Sequence, residues 1–281
     1  MLRNVLLLVE PTPSGQVARK VAGHIAAQGN CNLTALRIFE PDAPTQNEDL
    51  AASPHRLFVD VLSYREHRGV PQPDNGAQGV AADNDLSGLS GVDYRAKALH
   101  GPKYAVLCHE LDRNDLAVIG RDGNFAEHWD HDAKEIINLL LEYRSRPLII
   151  ASPVYPGSGE NVLIVYDGSP GSCRAMQFFV LMGLARERAV HVLSVSRKKN
   201  VAQACVETAA NYLSNHGIDA LPHAVTSRED PRSVIVDTIR ETQASLVVAG
   251  AFDAGGWKRS LFGSVGDYLI RYCPVPLFSC Q

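Results

Sequence analysis

Two groups of residues in this 281-residue sequence have the types and spacing to do chemistry. The first is Asp167-Gly168-Ser169, a carboxylate followed by turn residues directly after the apolar run Val162 to Tyr166. The second runs from Gly250 through Asp253, Gly255-Gly256, Lys258 and Arg259 to Gly263-Ser264. Gly250 lets a backbone pass close to a ligand, and Gly263-Ser264 offers N–H groups and a hydroxyl where an opening helix favours an anion. Together they describe a phosphate-binding loop. Each residue also has a plainer reading. Asp167 can hydrogen-bond its own turn, the glycines can serve turn geometry alone, and Lys258 and Arg259 read equally as solvated charges or phosphate contacts.

A third group, Glu127-His128-Trp129-Asp130-His131-Asp132, concentrates metal-ligating side chains. His128 and His131 share a helical face at i, i+3, where a carboxylate would complete a site. The same acids also suit a helix N-terminus. No nucleophile stands beside a base in the sequence, and HExxH, GxSxG and GK[ST] motifs are absent, so no catalytic residue is assigned.

The elements that position these groups alternate. From Asn161 the pattern predicts strands over Val162–Tyr166, Val190–Val195, Ile218–Thr226, Leu246–Ala249 and Val275–Phe278. The helices between them carry Ala175, Phe178, Phe179 and Met182, then Cys205, Ala209, Tyr212 and Leu213, then Val234, Ile235 and Ile239. Asp230-Pro231 reads as an N-cap with proline in the first turn, and Gly217 as a left-handed stop. A short helix is expected over Val265 to Tyr272. Strands separated by helices imply parallel crossovers and a doubly wound sheet.

The first half repeats this framework. Asn4-Val5-Leu6-Leu7-Leu8-Val9-Glu10 aligns with Asn161 to Asp167, Leu116 to Gly120 with Leu246 to Gly250, and Arg146 to Ile150 with Cys273 to Leu277. The reading is an α/β chain of two tandem Rossmann-like domains. A degenerate copy covers 1–152, a Ser/Pro/Gly-rich linker 153–160, and the domain with the pocket 161–281. An irregular loop is expected over 69–91, with a helix near 57–64.

Bulk properties narrow the partners. The net charge of -4 carries no basic footprint, so nucleic acid is not expected. The run Val5 to Val9 is too short for a signal core or a span and reads as a buried strand, so no membrane association is expected. Six cysteines without a CxxC pair read as buried thiols of a reducing compartment, which points to the cytoplasm.

The tandem plan, Val165-Tyr166-Asp167-Gly168-Ser169 after a strand, and the Gly250…Gly263-Ser264 loop followed by Cys273-Pro274-Val275 resemble the universal stress protein family. The family's ATP-binding motif after the fourth strand is G-x2-G-x9-G-[S/T]. Gly250, Gly263 and Ser264 match it at the right spacing, while Asp253 occupies the second glycine's place. The resemblance implies that Asp167 bonds adenine and that Val195 flanks the base through its backbone. It implies that Gly250, Gly263, Ser264 and Val265 hold ribose and phosphates. The Asp253 carboxylate would oppose those phosphates unless a Mg²⁺ or Mn²⁺ ion lay between. In the first half Glu10-Pro11 replaces Asp-Gly, and Ala133-Lys134 replaces Gly-Ser, so that copy is not expected to bind ATP in the usual way.

The functional expectation is an adenine-nucleotide-binding stress-response protein that acts through conformation or partner binding. A nucleotide-free dimerisation scaffold and a slow metal-assisted nucleotide hydrolase are the alternatives. The resemblance also implies that the last strands of the two copies pair as an intramolecular pseudo-dimer, with a homodimer as a further possibility.

Overall fold

A computed structural model describes residues 1–39, 89, 91–101, 103–123, 133–143, 146–157, 159–251 and 263–281. The helix expected over 57–64 lies outside them, as does the loop expected over 69–91 apart from Leu89 and 91.

The first half runs β1 (Asn4–Leu8), α1 (Pro13–Gly29), β2 (Asn32–Phe39), β3 (Tyr94–His100), α2 (Lys103–Leu111), β4 (Leu116–Gly120), α3 (Ala133–Tyr143) and β5 (Leu148–Ala151). The second runs β6 (Asn161–Val165), α4 (Pro170–Leu181), β7 (Ala189–Ser196), α5 (Lys199–Asn215), β8 (Ala220–Thr226), α6 (Pro231–Glu241), β9 (Leu246–Gly250), α7 (Gly263–Tyr272) and β10 (Leu277–Cys280).

The strands form one sheet in the order β3-β2-β1-β4-β5-β10-β9-β6-β7-β8. Read outward from β1 and from β6, the two halves have the same strand order. Every pairing is parallel except β5 with β10, where Ile149 faces Phe278 across an antiparallel ladder that joins the halves. The fold is α/β, as the alternation of strand and helix required.

Side-chain alternation divides the core between the two faces of the sheet. Val5, Leu7, Val162, Ile164 and Phe278 pack under α1, α4 and α5. Leu6, Leu8, Leu163, Val165 and Leu277 pack under α2, α3, α6 and α7. Phe179 of α4 meets Phe278 of β10 edge-on at 5.4 Å between centroids, so the strand at the junction is pinned from one face as well as by its ladder.

Local signals behave as read. Asp230 caps α6 by accepting the Arg232 N–H at 2.9 Å, ahead of Pro231. Gly217 follows α5 at φ +72, and the Ile218 N–H closes the turn onto the Leu213 carbonyl. Some boundaries require correction: the third strand of the second half starts at Ala220 rather than Ile218, and α7 starts at Gly263 rather than Val265. The last strand is Leu277–Cys280 rather than Val275–Phe278. Pro276 has no N–H to give the ladder, although its carbonyl accepts the Val247 N–H at 3.0 Å. The strand therefore starts one residue beyond it.

Candidate functional site

In a sheet of this order a crevice opens at the carboxyl ends of the two strands between which the connections change direction. In the second half those strands are β6 and β9. Beyond β6, Tyr166 is buried and its hydroxyl lies 3.2 Å from the Cys173 sulfur; burial first, then that contact, raises its pKa above the usual tyrosine range. The chain then turns at Gly168 (φ +78), a left-handed conformation that favours glycine. Asp167 Oδ1 accepts the Ser169 N–H at 3.0 Å. Its Oδ2 has no partner among the described residues. Ser169 caps α4, accepting the Ser172 N–H on its hydroxyl at 3.3 Å. Asp167 thus shapes its own turn with one oxygen, and the other is unpartnered among the described residues.

Gly250, at the end of β9, sits against the first turn of α4. A Cβ there would lie 2.4 Å from the Gly171 carbonyl carbon and 2.5 Å from the Ser172 nitrogen, and one on Gly171 would lie 2.8 Å from the Ala251 oxygen. The close approach that requires glycine is therefore between strand and helix within the protein. It brings the Asp167 turn beside the exit of β9. Gly171 is the residue the sequence reading missed, and its place after Pro170 in the first turn of a helix was the available signal.

The remaining expected positions divide. Val195, near the end of β7, is 9% exposed and shares a buried cluster with Val165, Ala251 and Val265. The Val195 and Val265 side chains belong to the core and are not available to a ligand. Gly263 and Ser264 open α7, and a Cβ on Gly266 in its first turn would stand 3.7 Å from the Gly250 oxygen. The N-terminus of α7 is thereby held at the carboxyl end of β9. Asp253, Lys258 and Arg259 lie outside the described residues. Arg197, Lys198 and Lys199 stand exposed where β7 leads into α5, a cationic rim at the same edge of the sheet.

The first-half crevice, between β1 and β4, is filled by the protein's own charges. Glu10 occupies the place of Asp167, and its Oε1 pairs with Lys103 Nζ at 3.3 Å, with side chains 5% and 12% exposed. Asp122, just past β4, accepts the hydroxyl and backbone N–H of Ser14 at the start of α1. That carboxylate fills the position an anion would take at the helix N-terminus. Glycine packing is repeated: a Cβ on Gly120 would lie 2.6 Å from Ser14 Oγ and 2.8 Å from the Gly15 nitrogen. Arg121 leaves this crevice and donates to the Cys273 carbonyl at 2.8 Å, at the C-terminus of α7, tying the two halves together.

Among the described residues no three His, Cys, Asp or Glu side chains converge to hold a metal, and the candidates His128, His131 and Asp253 lie outside them. All six cysteines are free thiols, with Cys273 and Cys280 pushed up to about 12 by burial. No described helix is long and apolar enough to cross a membrane.

Residues 159–279 match the model of the universal stress protein family. This half of the chain is a universal stress protein domain. The whole chain is similar to a universal stress protein from Archaeoglobus fulgidus at 15% identity and TM-score 0.65, over 99% of this chain and 96% of that one. It is also similar to a functionally unknown protein from Pseudomonas aeruginosa at 12% identity and TM-score 0.56, over 99% and 92%. At these identities the likeness is one of fold, and it covers both halves of the chain. No curated protein matches the chain in sequence.

Proposed function

We propose that the chain binds one adenine nucleotide, in the crevice between β6 and β9, and signals through the conformation of the α7 entry loop rather than by dedicated catalysis. The observation that carries this reading is the contrast between the two crevices. The first is occupied by Glu10–Lys103 and Asp122–Ser14, whereas in the second Asp167 Oδ2 is without a partner among the described residues. Asp167 Oδ2 would accept from the base, and the amides opening α7 would meet the phosphates. Gly168, Ser169 and Gly250 would shape the crevice without touching the ligand. Lys258 and Arg259 would neutralise phosphate charge, and a Mg²⁺ or Mn²⁺ ion would offset the carboxylate of Asp253.

We take the chain as two units joined by 153–160, paired through β5 and β10 as an internal pseudo-dimer that works in the cytoplasm. Calorimetric titration with ATP, ADP and AMP, with and without Mg²⁺, tests the reading. The expected result is saturable binding of at least one of them. Heat indistinguishable from dilution at millimolar ligand would reject it.

A nucleotide-free scaffold is the second reading. It is favoured by Asp167 serving its own turn and by Gly250 being accounted for through α4. Under it, the same titrations give no binding and the β5–β10 junction carries the function.

A further inference from the structure

On the opposite edge of the sheet, at the amino ends of the second-half strands, a small open cleft lies between α1 and the segment joining the halves. Its apolar wall is formed by Val21, Ile25, Ile149, Leu246 and Pro276. Its polar side chains are those of Arg188, His24, Tyr155 and Ser245, the Ser245 hydroxyl donating to the Gly159 carbonyl at 2.6 Å. Outside the cleft, the Lys20 ammonium lies 5.1 Å from the centre of the Tyr155 ring. Arg188 is half-buried, yet it has no ion pair or hydrogen bond among the described residues. The acids nearest to it along the chain and across the adjoining strand, Glu187 and Glu160, are both exposed, and neither is paired with it. A guanidinium withdrawn from water without a counter-charge is unfavourable unless something supplies one. Burial and Arg188 together hold His24 below the usual histidine range, as expected for a local excess of positive charge.

We propose that this cleft binds a small oxyanion, a carboxylate or a phosphate group, with Arg188 as its counter-ion. The planar guanidinium takes two oxygens at once. His24 stands beside the charge, and the Tyr155 ring with Val21 and Ile25 accepts whatever apolar body carries it. Because the cleft joins α1 of the first half to the amino ends of β6, β7 and β9, occupancy fastens the two halves together. The site is independent of the nucleotide crevice at the other end of the strands.

The test is titration of the full chain with inorganic phosphate and, separately, acetate, at constant ionic strength set by chloride. The His24 imidazole resonances, assigned through His24→Gln, are the readout. A saturable shift with one of the two anions, weakened at least about tenfold in Arg188→Gln, is the expected result. The anion giving the tighter curve identifies the class. A shift that is absent, grows linearly with anion, or is unchanged in Arg188→Gln overturns the proposal. Should Arg188→Gln fail to fold, Arg188→Lys retains the charge without the fork and must also weaken binding, while equal binding there refutes the bidentate role.

Discussion

Replacing Gly250 by alanine tests the claim that this glycine exists for the contact between β9 and α4. The added Cβ would stand 2.4, 2.5 and 2.8 Å from the Gly171 carbon, Ser172 nitrogen and Gly171 oxygen. All three are backbone atoms of a capped first helical turn, so no side chain can swing away, and either α4 or the end of β9 must move. Overpacking of a filled interior costs roughly 1–3 kcal/mol, and contact with rigid backbone places this substitution at the top of that range, about 3 kcal/mol. That is on the order of a hundredfold in the folding equilibrium. Gly266→Ala is the control. Its Cβ meets the Gly250 oxygen at an ordinary 3.7 Å, and alanine is the better helix former, so the change is neutral or stabilising by up to about 1 kcal/mol. Urea unfolding of both variants, with intrinsic fluorescence and circular dichroism as probes, gives the comparison. A Gly250→Ala variant within about 0.5 kcal/mol of the parent would show that α4 and β9 are not in the contact described, since only changes away from packed features are that mild.

Further outcomes follow from the same geometry. Lys103→Met removes one partner of the Glu10 carboxylate in a largely buried site and is expected to lower stability by about 1 kcal/mol or more in denaturant titration; the double variant with Glu10→Leu should recover part of it. Asp167→Asn, which keeps the turn acceptor, should change stability by less than about 1 kcal/mol while weakening nucleotide binding at least about tenfold in calorimetry. The His191 ring reaches His223 diagonally across β7 and β8, with Nδ1 2.9 Å from Nε2, and burial followed by His223 lowers its pKa below 6.5. A histidine that is harder to protonate when folded gives stability that is complete above the unfolded value of about 6.5 and is lost as pH falls through it to the folded value. Denaturation midpoints from pH 7.5 to 5 should therefore decline less in His191→Gln than in the parent; identical slopes would count against the pairing.

The strand framework was legible because both faces of the sheet are covered. Runs such as Leu246–Gly250 can then be apolar throughout, and Asp230-Pro231 and Gly217 mark helix ends through local chemistry alone. The last strand was misplaced because apolar character was given more weight than the missing N–H of Pro276. At the site, the need for glycine at 250 was visible, but what fills the space was not. That depends on Gly171, brought alongside only when α4 packs on the sheet. The closure of the first crevice was equally hidden, since Glu10 and Lys103 are 93 residues apart and nothing in the sequence near either one names the other. Arg188 was invisible for the same reason: its isolation is a property of α1 and the joining segment meeting around it.

The number and place of bound nucleotides bears most directly on the difference between the two crevices. Native mass spectrometry of the full chain with ATP, ADP or AMP should show a single nucleotide per chain, lost in Asp167→Ala and retained in Glu10→Gln. Two nucleotides per chain, or one that survives Asp167→Ala and disappears in Glu10→Gln, would contradict the assignment of the site to the second half.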